Sequence, residues 1–384
     1  MLTVRTAGES HGPTLIALVE GLPAGLALDC AAIDAMLARR QRGPGRSKRQ
    51  QIEVDRVEVL SGVKGGRTLG SPLALAIRNR DASMETLPNP PAPRPGHADL
   101  AGAYKYTSRD LRAVLERASA RETAARTAAG AVAALLLREF NIQVVGHVLA
   151  IGGDRAAAAE VTLESCTLRD SSPFASLDPQ ADARWAQAIE RAAAAGETLG
   201  GLFEVVGLGV PPGLGSFAQF DQRLDGRLAA SLMSIPAVKG CEVGLGFAAA
   251  ERLGSEVHDA IEVLPGAPWG GLHRPTNRAG GLEGGVSNGQ PIVVRAAMKP
   301  IPTLKKGLPS VDLRSGSAVP ATYQRSDICS VPAASVVGEA VVAFELARAF
   351  LEKHGGDTLD DVHQSFLRWR KRAQEIVGDG LESP

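Results

Sequence analysis

The sequence predicts a soluble protein of interleaved helices and strands, and three observations carry that expectation. Segments alternating apolar and polar residues, as strands do, follow segments of helical periodicity along the whole chain. No shift in composition marks a domain boundary in the 384 residues, and no short-period repeat is present, which excludes solenoids and propellers. Aromatic residues make up only 4% of the chain, so its core must be built mainly from Ala, Val, Leu and Ile. The length alone allows two or three domains or one large one.

Taken in order, Thr14 to Glu20 reads as a strand near the N-terminus. Ala31 to Arg40 is amphipathic, with Ile33, Met36 and Leu37 on one stripe, and predicts a short helix. A loop broken by Gly and Pro and carrying six cations runs from Arg39 to Arg49. Ile52, Val54, Val57 and Val59 give strand character around Asp55-Arg56, and the Pro-rich stretch from Arg78 to Pro95 is a long surface loop. Thr107 to Asp110 fits a capping box, which predicts a long Ala-rich helix to about Leu137, with Arg117 and Arg121 on one face. Strands are expected at Gln143 to Ala150, Leu202 to Val210 and Ile292 to Met298, the last fed by a glycine-rich segment from Gly280 to Gly289. Helices are expected at Asp182 to Ala195, Gln222 to Met233, Val331 to Lys353 and Asp360 to Val377.

Charge narrows the function. Lys plus Arg and Asp plus Glu both number 42, so the chain lacks the basic excess of a generic nucleic-acid or membrane-surface binder. Cys30, Cys166, Cys241 and Cys329 are scattered with no CxxC pair, against a zinc site or a disulfide framework. Met1 to Gly12 has neither the basic nor the apolar region of a secretory signal. The longest apolar run, Ala128 to Leu137, is about half of what spans a bilayer. A cytoplasmic protein with no membrane and no nucleic-acid partner is the expectation.

Within this neutral chain, several segments gather cations and histidines beside glycines: Gly8 to Gly12, Arg39 to Arg49, Arg94 to Asp99, Arg117 to Glu122, Lys299 to Thr303 and Arg325 to Asp327. If they converge, they form a cationic pocket for a polyanionic small molecule, for which the arginine fork suits carboxylate and phosphate. The alternative is that they are solvated loops. His11 and His97 are candidate proton donors at neutral pH, or structural hydrogen-bonders. Asp327, close to Arg325, is a candidate base or an ion-pair partner.

Two glycine patterns are set aside. Gly244 to Ala249 matches G-x-G-x-x-A but lacks the following strand and acid of a dinucleotide site. Gly285 to Gly289 matches G-x-S-x-G, yet Ser287 precedes a strand, whereas a nucleophile elbow follows one.

Seven stretches together resemble the chorismate synthase family: AGESHG at Ala7 to Gly12, RRQRGPGRSKR at Arg39 to Arg49, RPGHAD at Arg94 to Asp99, RASARET at Arg117 to Thr123, SIPAVKG at Ser234 to Gly240, GGLEGGVSNGQPIVVRAAMKPIPTL at Gly280 to Leu304, and RSD at Arg325 to Asp327. They stand in the family's order, and the likeness runs from residue 7 to about 353. The resemblance implies an α+β fold, a β-α-β sandwich with helices packed between antiparallel sheets, as a single domain over residues 1–384 and assembled as a homotetramer. It also implies a lyase of the shikimate pathway to aromatic amino acids. That enzyme takes 5-enolpyruvylshikimate 3-phosphate to chorismate by anti 1,4-elimination and depends on reduced FMN.

Carried over by position, Arg40, Arg46, Arg49, Arg94, Arg121 and Arg325 would surround the substrate's anionic groups. His11 would protonate the leaving phosphate and His97 the reduced flavin, while Ser10 with Asp327 would relay a proton from flavin N5. Arg117, Ala118, Ser119, Ala237, Gly284, Lys299, Pro300, Ile301, Pro302, Thr303 and Arg325 match the family's flavin contacts. The family pattern often carries Ser where this chain has Ala118, which puts one hydroxyl contact in doubt. No separate nicotinamide-binding domain is visible, so reduced flavin is expected from an external flavin reductase, with NADPH used by the chain itself as the alternative. An oxidoreductase acting on an anionic metabolite and a non-enzymatic anion- or RNA-binding module remain the rival readings. The stretch from Gly266 to Asn277 has no role in any of them.

Overall fold

The computed structural model describes residues 1–46, 53–162, 164–324 and 326–377 of the 384. Eight main strands are β1 (Thr3–Ala7), β2 (Thr14–Glu20), β3 (Glu58–Ser61), β4 (Leu73–Arg78), β5 (Gln143–Ile151), β6 (Gly201–Leu208), β7 (Val238–Val243) and β8 (Ile292–Met298). The main helices are α1 (Cys30–Gln41), α2 (Asp99–Tyr106), α3 (Leu111–Ala118), α4 (Thr123–Arg138), α5 (Ser165–Ser171), α6 (Pro179–Ala194), α7 (Leu224–Met233), α8 (Val331–His354) and α9 (Leu359–Gln374). One antiparallel sheet has the order β1-β2-β4-β3; the other runs β7-β8-β6-β5 and ends on the short strand Asp154–Arg155. In β2, Leu15, Ala17 and Val19 point inward; in β8, alternate residues from Ile292 to Met298 do. Each sheet thus has one buried face to cover.

What covers them is a pair of helices. α4 lies on β2 and β4, α8 lies on β5 and β6, and the two helices pack on each other. Of the 24 residues of α8, 20 are buried, so it is apolar all round and can exist only inside a core. Glycine lets the layers close: a Cβ on Gly130 of α4 would overlap the backbone of Ala340, and one on Gly146 of β5 would overlap the Ser335 carbonyl. One hydrophobic cluster runs from Leu15 of the first sheet through Val132 and Ala340 to Phe203 of the second. This is the α+β sandwich, helices between antiparallel sheets, that the resemblance implied.

Glu339, the charged residue at the middle of α8, is held by Arg39 (2.7 Å) and Arg169 (2.9 Å) and accepts the Gly146 N–H. Burial alone would raise its carboxyl; the two arginines outweigh that and keep it below the usual range.

Two local expectations are corrected. The helix predicted from Thr107 to Leu137 is broken. Thr107 is left-handed (φ 50°) and closes α2, Asp110 caps α3, and Ser119 is extended before a single tight turn, Ala120–Glu122, leads into α4. The Ser119 hydroxyl accepts from the Arg121 N–H, a local bond that competes with the helical one. Arg117 and Arg121 therefore do not share a face: Arg117 is exposed and Arg121 is buried. The strand expected around Asp55-Arg56 begins only at Glu58. The Asp55 and Val57 N–H groups donate to the side chains of Gln41 and Asp34 instead of to a neighbouring strand. Strands β1, β4 and β7 and helices α2 and α5 were not expected from the sequence.

His354 closes α8 against Phe350, Phe366 and Trp369, with ring centroids 4.8–5.2 Å away, and its buried Nε2 has no partner. Burial, then Lys353, pushes its pKa down to about 4. The unfolded chain therefore takes up this proton first. The contribution is fully present above about pH 6.5 and is lost as pH falls towards 4. We expect the stability difference between pH 7 and pH 4.5, from urea unfolding, to be smaller by about 2 kcal/mol in His354→Phe than in the parent. Equal losses in the two proteins would contradict this account.

Candidate active site

A cavity of about 390 Å³ opens where the loop after β1, the α3–α4 junction, the end of β8 and the loop before α8 meet. Of the motif residues, Ser10, His11, Arg94, His97, Ala118, Ser119, Arg121, Ala237, Lys299, Ile301, Pro302, Thr303 and Asp327 line it. Segments up to some 300 residues apart in sequence are thus brought to one wall.

His11 Nδ1 is 2.6 Å from Glu116 Oε2, which also accepts the His11 backbone N–H; on the other side His11 Nε2 stands 3.7 Å from Asp81. Burial would raise Glu116, but its bonds to His11 and then Arg112 bring it below the usual carboxylate range. His97 Nδ1 is 2.5 Å from Asp99 Oδ1, and Arg94 clamps the same carboxylate at 2.8 Å while donating through Nη1 to Thr303. Asp99 is held well below the usual range: burial opposes this, and hydrogen bonds from His97 and Arg94 prevail. Ser119 donates to the Ser10 hydroxyl at 3.2 Å. Asp327 pairs with Arg46 at 2.9 Å and accepts from Ser330.

Arg40 and Arg121 share one buried carboxylate, Asp55, at 2.6 and 2.5 Å. Burial would raise Asp55, and the two guanidinium groups carry it below its ordinary value instead. Among the described residues, Arg40 Nε, Arg46 Nε and Arg121 Nη2 of this site have no hydrogen-bond partner, and Glu53 stands 3.7 Å from the last. Lys299 has no carboxylate partner among the described residues; its ammonium donates to the Gly96 carbonyl. Its pKa is lowered, by burial first and then by Lys239. Ala237, in the cavity wall, is left-handed at φ 70°, a strained conformation for a residue with a side chain, and its carbonyl accepts from Lys299 N–H at 2.9 Å.

Other motif residues stand apart. Arg40 lies behind Arg121, and Arg46 reaches the cavity through Asp327 and Ser330. Arg117 points to the Thr6 carbonyl, Gly284 turns the hairpin between Glu283 and Val286, and neither they nor Pro300 line the cavity. Arg49 and Arg325 lie outside the described residues. Ser287 is buried in that hairpin, donating to the Pro211 carbonyl, and is no nucleophile. A larger cavity, about 540 Å³, between Trp269 and Trp369 contains none of the lining residues just named.

The family model for chorismate synthase matches residues 2–351 of the chain. The chain belongs to the chorismate synthase family. The chorismate synthase of Desulforudis audaxviator is 55% identical over 97% of this chain and 98% of its own length, and that of Moorella thermoacetica is 53% identical over 98% and 100%. A crystal structure of a chorismate synthase superposes with a TM-score of 0.80 at 43% identity, covering 98% of this chain and 99% of that one. As a chorismate synthase family member, the chain is an enzyme of chorismate formation in the shikimate pathway.

The family's motifs pointed to the cations and missed the acids that hold them. Asp99 stands two residues after His97 inside RPGHAD, and Glu116 immediately before RASARET, and the motif pattern assigns a role to neither. Glu53, Asp55, Asn79 and Arg112 had no motif at all. Of the acids, only Asp99, two residues from His97, carries a sequence signal; the others stand far along the chain from His11 and Arg121, which they hold.

Because Asp55 neutralises two buried guanidinium groups, Asp55→Ala should lower unfolding stability by about 3–5 kcal/mol, and Asp55→Asn by clearly less. Chemical denaturation of the three proteins measures this, and an unchanged Asp55→Ala midpoint would show that the carboxylate is not needed there.

Proposed function

We propose that this chain converts 5-enolpyruvylshikimate 3-phosphate to chorismate and phosphate by anti 1,4-elimination, with reduced FMN bound beside the substrate. The observation that carries the reading is that two histidines, each with Nδ1 on a buried carboxylate, line one cavity together with Arg94, Arg121 and Lys299. A phosphate with two carboxylates needs fixed positive charge in a site shielded from water. The Lys299 ammonium, with no carboxylate partner among the described residues, and Arg121 Nη2, which has no hydrogen bond and only the Glu53 carboxylate 3.7 Å away, are where such an anion gains most.

The residues present also fit a flavin. Leu115, Ala118, Pro236, Ala237, Met298, Ile301 and Pro302 make an apolar side of the cavity suited to a flat ring, and Lys299 and Thr303 stand at its polar edge. The chemistry that reduced flavin supplies there is transient electron density as the phosphate departs. For their part, Arg94 and Arg121 bind and orient the anion, with Arg40 stiffening Arg121 through Asp55. Arg46, Arg49 and Arg325 complete the cationic wall. His11 would give a proton to the departing phosphate oxygen, His97 would hold one beside the flavin, and Ser10 with Asp327 would accept one from the flavin's N5 side. Ala118 and Ser119 with Ala237 and the Lys299–Thr303 segment hold the cofactor, joined by Arg117 and Gly284 once ligands or further subunits are in place. The enzyme works as a cytoplasmic homotetramer, and its flavin arrives already reduced by an external reductase instead of by NADPH bound here. No helix among the described residues is long and apolar enough to cross a membrane.

Anaerobic phosphate release from 5-enolpyruvylshikimate 3-phosphate tests this with reduced FMN, oxidised FMN, and NADPH plus FMN in parallel. Release is expected only with reduced FMN; activity with NADPH would mean a built-in reductase, and no release in any arm defeats the proposal. His11→Ala and His97→Ala should each lower kcat by about 10²–10⁴-fold in folded protein. A wild-type rate in either removes that histidine from the mechanism.

A further inference from the structure

We propose that Glu116, locked by Arg112, is a positioning residue that fixes His11 as the Nδ1–H tautomer, so that Nε2 alone exchanges the proton with the departing phosphate. The proposal rests on the reading of His11 given above and adds to it which nitrogen acts and what makes it so.

Glu116 is a finished piece of local construction. Its side chain is fully buried. Oε2 receives two contacts from one residue, the His11 backbone N–H at 3.0 Å and Nδ1 at 2.6 Å, while Oε1 accepts from Arg112 Nη1 at 3.0 Å. Arg112 is fixed in turn by donating Nε and Nη2 to the Pro88 carbonyl at 3.1 and 2.8 Å. The Asn89 side chain and Asp110 both accept from the first amides of α3, tying the helix to the same loop. The rotation of Glu116 is therefore set on three sides before any ligand arrives.

An ionised carboxylate can only accept. A contact of 2.6 Å with it demands a proton on Nδ1 of a neutral or charged His11 alike. The rival pull comes from Asp81, whose carboxylate is 3.7 Å from Nε2 and would favour a proton there. Distance decides for Glu116, and the paired backbone N–H makes its oxygen the fixed reference. In turnover the C–O bond to phosphate breaks, the Nε2 proton passes to the phosphate oxygen, and neutral His11 remains with Nδ1–H on Glu116. Solvent then returns a proton to Nε2. The other neutral tautomer would turn the Nδ1 lone pair onto the Glu116 carboxylate and keep its one proton on Nε2, which it could give up only by becoming an imidazolate. This is how a carboxylate governs a catalytic imidazole without touching substrate.

Simple truncation would strand Arg112 as a buried cation, so two double variants carry the test, Arg112→Met with Glu116→Gln and Arg112→Met with Glu116→Ala. Both delete the cation, and they differ in whether an acceptor faces Nδ1. The tautomer is read from ¹⁵N chemical shifts of histidine-labelled protein at a pH where the ring is neutral, with His11→Gln assigning the signal. We expect Nδ1–H in the wild type and the Gln variant, and Nε2–H in the Ala variant. We expect kcat of the Ala variant to be lower than that of the Gln variant by about 10–10³-fold with KM changed less than about threefold. An Nε2–H wild type, or equal kcat in the two double variants, overturns the proposal. If the wild type releases no phosphate at all, the proposed function falls, while the tautomer result still decides the claim about Glu116.

Discussion

Everything in this molecule is arranged around the apolar circumference of α8. A 24-residue helix with 20 buried residues meets water chiefly near its C-terminal end, at Arg348, Glu352 and Lys353, so it must be enclosed. One sheet covers one side; on the other, α4 covers it and is covered in turn by the second sheet. The enclosure is tight because glycines stand where backbones meet, at Gly130 against Ala340 and at Gly146 against Ser335. The cost of one acid in such a helix is met by two arginines arriving from α1 and α5, which ties outlying helices to the centre. The cavity is a consequence: the loops that enter α4 and α8 emerge together, and they carry Arg121 on one and Asp327 on the other.

The charges at that cavity follow a rule that counting cations does not show. Arg94 is matched by Asp99, Arg46 by Asp327, and Arg40 with Arg121 by Asp55. An arginine buried without a partner would be too costly to keep in an empty site. Paired, it is held in position with donor capacity still unused, as at Arg121 Nη2, which makes no hydrogen bond and has Glu53 3.7 Å away. Preorganisation of this kind lets an anion bind without waiting for long side chains to be collected from solvent.

Much of this was legible in the sequence, and the limits have physical causes. The strand Thr14–Glu20, the helix Val331–His354 and the strand Ile292–Met298 are long and strongly patterned, and fall within a residue of expectation. The run from Thr107 to Leu137 misled because Ala-rich composition favours helix everywhere, whereas the break depends on one serine hydroxyl bonding its own neighbours. The segment Glu53–Val57 looked like a strand because its apolar residues alternate, but its amides were claimed by side chains from α1. Histidines and arginines stand out in a motif. The acids that orient them, Glu116 and Asp55, are separated from their partners by 105 and 15 or 66 residues and become visible only when the chain is folded.

The two histidines show why those acids matter. Both present Nδ1 to a buried carboxylate, and both carboxylates are gripped by an arginine. The difference lies in where the arginine stands. Arg112 is turned away from the cavity onto Pro88, so the support of His11 is closed off from any ligand. Arg94 lines the cavity and lies 3.0 Å from His97 Nδ1, so the support of His97 is exposed to whatever binds there. Two copies of one side chain in one cavity thus have differently exposed supports, and the distinction is set by where their arginines stand.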